Sequence, residues 1–453
     1  MGDIPVTGRT RVLAATILGS SLAFIDGSVV NVALPAVQAS LQAGTAAMQW
    51  VVDAYLLPLG ALVLLGGALG DRLGRVRVFM AGVVLFTAAS AACGLAPGAA
   101  WLVLGRAVQG VGAALLVPGS LAIIGAAIPA GERGAAIGTW SGAGALTTAI
   151  GPLLGGWLVD AVSWRAIFLI NLPLAAAVLW LARGIPDSRG PAAAGPLDWP
   201  GALLAAAGLG ALTYGFIEVP ARGMDAQVLP CLAGGVALLA AFVAVEARRP
   251  APMVPLAVFR SPRFSGANGL TLLLYFALTG VLFQLPFLLI GTHGYSASAA
   301  GAALLPLSLL LGGLSGAAGR LAERVGPRPL LVAGPLLAAA GFGLLGLRAG
   351  DARYWTGVLP GMLALAAGMT LAVAPLTAAV MAAVPDGQAG VASGINNAVA
   401  RVAGLLAVSA LGVLATGAAD AVAGFRHVAY AGAACAAAAA SVAAATIGRQ
   451  AAA

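Results

Sequence analysis

The chain is predicted to be an all-α polytopic membrane protein of fourteen transmembrane helices, on three observations. Of its 453 residues, 61% are hydrophobic and 8% charged, with mean hydropathy +1.00. A soluble domain carries roughly a quarter charged residues. Apolar stretches of about 18 residues or more, each long enough to cross a bilayer, recur along the whole length, and the alternating strands of a β-barrel are missing. Finally, Gly67-Ala-Leu-Gly-Asp71-Arg72-Leu-Gly74-Arg75-Val76 returns as Gly319-Arg-Leu-Ala-Glu323-Arg324-Val-Gly326-Pro-Arg328. Both copies stand between two apolar stretches, so the chain reads as two copies of one helical bundle.

The length rule places the spans in order. Six fall at about 12–37, 47–69, 77–96, 100–126, 134–159 and 165–183. Two follow at about 201–217 and 227–246, and six more at about 264–290, 297–318, 329–347, 355–384, 389–416 and 424–447. The repeat offset is 252 residues from Gly67 to Gly319, and 256 for a second echo, Gly131/Gly134/Gly138 against Gly387/Gly390/Gly394. Six helices and their loops occupy about 180 to 200 residues, and the surplus matches the middle pair. The expected organisation is a six-helix bundle (1–185), a linker carrying two inserted helices (186–249), and a second six-helix bundle (250–453). The Pro-, Gly- and Ala-rich stretch 183–200 and the charged stretch 246–263 read as the connections.

All 23 basic residues are arginines. Sixteen lie on connections that share a side with the N-terminus and five on the opposite ones, so the positive-inside rule puts both termini in the cytoplasm. The remaining two, Arg106 and Arg401, lie within apolar helices. A net charge of +8 spread over helix connections is not a nucleic-acid footprint. Cys93, Cys231 and Cys435 sit far apart in apolar segments, which suits neither a disulfide framework nor a metal site. No H-E-x-x-H or G-x-S-x-G supports an intramembrane enzyme, and no catalytic residues are expected. Nor is there a phosphate-binding G-x-x-x-x-G-K-[ST], so any work done must draw on an ion gradient with no cofactor.

Asp26 and Asp53 are the acids well inside apolar helices. Such carboxylates are costly, usually face the bundle interior, and take or release protons near neutral pH. At 1.5 Å per residue, Asp26, Asp53 and Arg106 each fall about 9 Å from the outer face, in one layer. Two readings stand: a titrating Asp26 with Arg106 as countercharge and Asp53 as second acid or substrate contact, or a buried pair that only fixes helix packing. Arg401, with Asn396 and Asn397, is the matching polar set of the second half, placed to bind substrate or to satisfy broken backbone. The repeated turn, with Gly67, Asp71, Arg72, Gly74 and Arg75, reads either as a cytoplasmic latch, in which Asp71 caps a neighbouring helix or pairs with an arginine, or as topology alone. Gly151, Pro152, Gly155 and Gly156 make a close-packed hinge candidate on the fifth helix. Asn31, Trp50, Tyr55, Gln109 and Gln284 are further cavity candidates. A cavity of aromatics with few charges suits lipophilic or weakly cationic molecules.

Five segments together resemble the major facilitator superfamily, in its fourteen-helix drug:proton antiporter branch, over essentially the whole chain. Asp26-Gly-Ser-Val-Val-Asn31-Val-Ala-Leu-Pro35 is similar to the branch's first-helix signature, with Ser28 where Thr is usual. Residues 67–78 are similar to the superfamily's cytoplasmic loop, and Leu104-Gly-Arg106-Ala-Val-Gln109-Gly110-Val-Gly112 to its fourth-helix signature. Gly151-Pro152-Leu-Leu-Gly155-Gly156 is similar to the fifth-helix antiporter signature, and Trp164-Arg165 through Asn171-Leu-Pro173 to the sixth-helix segment. Thr147 and Ile290 depart from the pattern. The resemblance implies a major facilitator fold in a bacterial cell membrane, acting as a monomer in contact with lipid and without nucleic acid. It also implies proton-coupled export of drug-like or antibiotic-like molecules by alternating access. The alternative is a proton-coupled carrier for one metabolite or self-made antibiotic.

Overall fold

A computed structural model describes residues 6–190, 197–250, 252–385 and 389–448, and among them there is no strand. The first helices are α1 (Val6–Leu41), α2 (Thr45–Leu73), α3 (Arg75–Gly94), α4 (Ala99–Ala127) and α5 (Ala130–Ala161). A short α6 (Ala166–Leu169) and α7 (Asn171–Ala182) follow, then α8 (Trp199–Arg222) and α9 (Val228–Glu246). The remainder comprises α10 (Pro262–Pro286), α11 (Ala297–Ala303), α12 (Leu305–Val325), α13 (Pro327–Leu347), α14 (Leu359–Ala382), α15 (Ala389–Thr416) and α16 (Ala421–Thr446). Thirteen stretches are long and apolar enough to cross a membrane, and Ala166–Ala182 is a shorter fourteenth. The protein is a multi-pass membrane protein, with fourteen spans among the described residues.

The chain forms two compact units, Met1–Ala207 with Leu238–Met253, and Gly208–Ala237 with Val254–Ala453. In the first, α4 packs on α2 and α3, and α1 on α5 and α7. In the second, α14 packs on α12 and α13, and α10 on α15 and α16. The pairings repeat, and so does their chemistry. A Cβ on Gly82 of α3 would lie 2.8 Å from the Leu116 nitrogen of α4; on Gly334 of α13, 252 residues later, it would lie 2.8 Å from the Gly368 oxygen of α14. With little hydrophobic drive between helices in lipid, small residues that let backbones approach carry the packing.

Several spans differ from the sequence expectation. The repeated turn is not a loop: α2 continues through Leu73 and α3 starts at Arg75, leaving one non-helical residue, Gly74, at φ 115°. Gly326, at φ 82°, does the same between α12 and α13. Only glycine takes this backbone without strain, and that freedom compresses the turn. The sixth span breaks at Ile170 into α6 and α7. The ninth runs close to its expected bounds, but its last turn, Phe287–Thr292, is π-helical. The tenth breaks at Leu304, where Pro306 lacks an N–H for the helical ladder, and then runs on to Val325. The seventh extends to Arg222, which takes Glu218 into helix α8. On α9, Leu229, Val236 and Val243 are 57%, 61% and 49% exposed.

Candidate functional site

Asp26 on α1 and Arg106 on α4 meet in the interior of the first unit, 0% and 1% exposed. Arg106 Nη1 lies 2.5 Å from Asp26 Oδ2 and 2.7 Å from Gln109 Oε1. Gln109 Nε2 donates to Asp26 Oδ1 at 2.8 Å, so the amide bridges acid and base. Arg106 Nε donates to the Val51 carbonyl at 3.0 Å, and its guanidinium lies over the Tyr55 ring at 4.2 Å. The network continues from Gln109 to Ser90 Oγ at 3.3 Å, which also accepts from Asn171 Nδ2 at 3.0 Å. Helices α1, α3, α4 and α7 are therefore tied through one buried polar cluster. Such a pair is costly to desolvate and persists because its remaining donors and lone pairs are satisfied.

Asp53 on α2 is also 0% exposed, yet neither carboxyl oxygen has a hydrogen-bond partner among the described residues. It stands two residues from Val51, whose carbonyl accepts from Arg106. The Tyr55 hydroxyl donates to the Ala23 carbonyl at 3.4 Å. Asn31 and Trp50 are half-buried and stand outside the described bonds of this network. Ser90 and Asn171 are the members that sequence reasoning missed as site residues. A serine in an apolar helix was the only available signal for the first; the second lay inside a recognised segment but carried no role.

The hinge candidates lie on α5 against α1. A Cβ on Gly155 would sit 3.0 Å from the Val29 oxygen, and one on Gly151 3.1 Å from Ser28 Cβ. Pro152 and Gly156 are buried beside them. The contacts fall within one turn of Asp26.

At the α2–α3 junction Arg75 Nε pairs with Asp71 Oδ1 at 2.8 Å, one helical turn apart across Gly74. The cap on α3 comes from elsewhere. Asp187, in the segment after α7, accepts from the Val76 nitrogen at 2.9 Å and lies 3.3 Å from Arg77 Nε. The Arg75 nitrogen donates to the Ser188 carbonyl, and the Gly190 nitrogen to the Asp71 carbonyl, each at 2.9 Å. Of the two roles open to Asp71, it takes the arginine pairing and leaves capping to Asp187. Arg72 is half-buried. Close helix approach belongs to Gly66, where a Cβ would lie 2.9 Å from the Ala114 carbonyl carbon; at Gly67 the nearest neighbour, Pro118 Cβ, is at an ordinary 3.6 Å.

In the second unit Asn396 Nδ2 on α15 donates to Asn268 Oδ1 at 3.1 Å and to Thr271 Oγ1 at 2.7 Å, both on α10. Asn397 is exposed and donates to the Ser393 carbonyl of its own helix. Arg401 is half-buried, within electrostatic reach of Tyr275. The Gln284 Nε2 is buried without a partner among the described residues. No cluster of three or more metal-ligating side chains occurs among the described residues.

Comparison with known proteins places this geometry. Residues 16–408 match the family model described as Major Facilitator Superfamily. The chain is 38% identical over 408 residues to the multidrug resistance protein Stp of Mycobacterium tuberculosis (strain ATCC 25618 / H37Rv), covering 89% of this chain and 76% of that protein. It is 36% identical over 405 residues to the tetracenomycin C resistance and export protein of Streptomyces glaucescens (89% and 75% covered). It is 38% identical over 419 residues to the puromycin resistance protein of Streptomyces alboniger (91% and 82%). Among solved structures it is similar in fold to a D-xylose-proton symporter, with TM-score 0.69, 17% identity and 98% of each chain covered.

Proposed function

The chain belongs to the Major Facilitator Superfamily, and on that premise we propose that it exports drug-like or antibiotic-like small molecules across a bacterial cell membrane in exchange for protons. The observation that carries the proton coupling is the contrast between two acids in one unit. Asp26 is held by Arg106 and Gln109, whereas Asp53 is equally buried and unpartnered. An isolated carboxylate in an apolar interior is costly unless it is neutral, and this assigns Asp53 as the first proton carrier. Asp26 is the second proton acceptor. Once it is protonated its attraction to Arg106 weakens, and α1 is no longer tied to α4. Arg106 is not stranded by that step, because the Val51 carbonyl, the Gln109 amide oxygen and the Tyr55 ring continue to hold it. Moving one charge through 100 mV is worth about 2.3 kcal/mol, enough for one or two protons to drive useful accumulation.

The remaining assignments follow from this reading. The chain works as a monomer of two six-helix bundles with an inserted pair, both termini cytoplasmic, on lipophilic or cationic substrates. It uses the gradient and no cofactor, and has no nucleic-acid partner. Asn396, Asn397, Arg401 and Gln284 are the substrate-facing polar groups of the second half, and Asn31, Trp50 and Tyr55 those of the first. A carrier for a single compound is the second reading, favoured by the likeness to a tetracenomycin C export protein.

The test is ethidium efflux from energised everted vesicles with a pH dye, comparing wild type, Asp53→Asn and Asp26→Asn. Substrate-dependent proton movement is expected in wild type and absent from Asp53→Asn. Unchanged proton movement in both variants sinks the coupling assignment. If wild type ignores a panel of cations but moves one compound, the single-compound reading replaces the broad one.

A further inference from the structure

Beside the α12–α13 junction lies a cavity of about 580 Å³, lined chiefly by Gly326, Arg328, Val332, Ala333, Leu336 and Ala444. Its position is set by the fold: α13 is a membrane span that begins at Pro327, so the cavity sits where the span meets the headgroup layer. Its chemistry is divided. One end carries the Arg328 guanidinium, which donates from Nη2 to the Ala444 carbonyl at 2.7 Å and pairs with no carboxylate among the described residues. Four of its five N–H donors remain for another acceptor. The other end is a wall of Val332, Ala333 and Leu336, with Leu336 49% exposed. Arg320 and Arg324, against the single Glu323, leave the last turns of α12 net positive.

At the α2–α3 junction a carboxylate, Asp187, occupies the corresponding place and binds both the helix start and an arginine. At α13 no carboxylate bonds to the helix start among the described residues, and the cavity lies beside it. We propose that this cavity is a binding site for an anionic phospholipid, with the phosphate on Arg328 and an acyl chain along Val332, Ala333 and Leu336. The apolar wall favours lipid over a soluble anion, since a free phosphate has no use for it. Basic pockets between membrane helices take acidic headgroups by the same charge complementarity.

The experiment uses the purified full chain in neutral detergent. Phosphatidylglycerol, phosphatidylethanolamine and inorganic phosphate are added separately, and thermal unfolding and native mass spectrometry are read. Phosphatidylglycerol is expected to raise the unfolding temperature and stay bound. Arg328→Gln is expected to weaken its retention about fivefold, the worth of one basic residue near an acidic surface, and Arg328→Lys to keep most of it. Ala333→Phe fills the wall while leaving Arg328 and its bond to Ala444 in place, and is expected to lose the lipid too. This second variant keeps the test alive if Arg328→Gln does not fold. Equal retention of the two lipids, undiminished phosphatidylglycerol in Arg328→Gln and Ala333→Phe, or the same stabilisation by inorganic phosphate alone would each overturn the proposal.

Discussion

The α2–α3 and α12–α13 junctions start from one sequence pattern, and each turns on a single glycine, yet they are finished differently. The first is closed by protein: Asp71 takes Arg75, and Asp187, Ser188 and Gly190 bond across the turn. The second has a cavity beside Arg328 and no such carboxylate bond among the described residues. The interiors differ in the same sense. The first unit holds a buried ion pair and an unpartnered acid, whereas the second joins α10 to α15 through amides and a hydroxyl. Repetition has kept the helix pairings and the glycine contacts while charge has gathered in the first unit. The lesson is that packing and buried charge are separable in this fold: the helix pairings are kept in both units, whereas the buried ion pair and the unpartnered acid occur in the first.

The sharpest way to break this contrast is to remove one charge. Arg106→Gln leaves Asp26 buried without its cation and is expected to cost about 3–5 kcal/mol, read as a loss of thermal stability in detergent. Pairing it with Asp26→Asn should recover part of that loss. In the second unit, Asn396→Ala is expected to cost only about 1 kcal/mol, the net worth of neutral hydrogen bonds. Equal losses would erase the distinction between the units.

The junctions can be separated next. Gly74→Ala forces a side chain into a left-handed backbone and against Asp187, whose carboxyl carbon would lie 2.8 Å from the new Cβ. A cost of about 1–3 kcal/mol is expected. Gly326→Ala meets the same backbone strain but nothing within 4 Å, so it should be the milder change in the same unfolding assay. Asp187→Asn keeps the shape of the cap and removes the charge near the exposed Arg77; about 0.5–1 kcal/mol is expected. Faster hydrogen exchange in the first turn of α3, and not of α13, is the accompanying signature.

The smallest effect concerns a turn outside the repeat. Asp225 accepts from the Val228 nitrogen, from Arg222 and from the Gln227 nitrogen, which together hold its carboxyl down at about 2. A depressed carboxyl contributes above its ordinary range and loses that contribution as pH falls through its folded value. Exchange protection at the start of α9 should therefore be flat from pH 7 to about 4 and decline only toward pH 2. Asp225→Asn should lower it already at neutral pH.

Hydropathy made the fourteen spans legible, because lipid forbids unsatisfied backbone and so demands long apolar helices. It did not reveal where those helices break. Ile170 and Leu304 interrupt stretches that are apolar throughout, and the turn after Pro286 is π-helical. The charged residues around Gly74 looked like a loop because charge usually marks one, yet they are helical up to the glycine itself. At the site, Asp26, Asp53 and Arg106 stood out because a charge in an apolar helix is conspicuous. Asp26 and Arg106 do meet as that reading expects, but depth along a helix says nothing about which face a side chain takes, so Asp53 standing apart from the pair was not legible. Asp187 was invisible for another reason: it sits in a polar linker, and its partner lies 111 residues away in sequence.

Helix α9 carries a consequence for handling the protein. With Leu229, Val236 and Val243 each about half exposed or more, much of what holds this helix is the acyl chains around it and not its neighbours. Solubilisation replaces those chains with a micelle, and short-chain detergents cover such a helix poorly. The α8–α9 pair should be the first part to loosen on extraction, and proteolytic nicking at the Arg222–Asp225 turn would report it before any loss of the buried ion pair. A preparation judged by that nick, and not by its monodispersity alone, is the one suited to transport measurements.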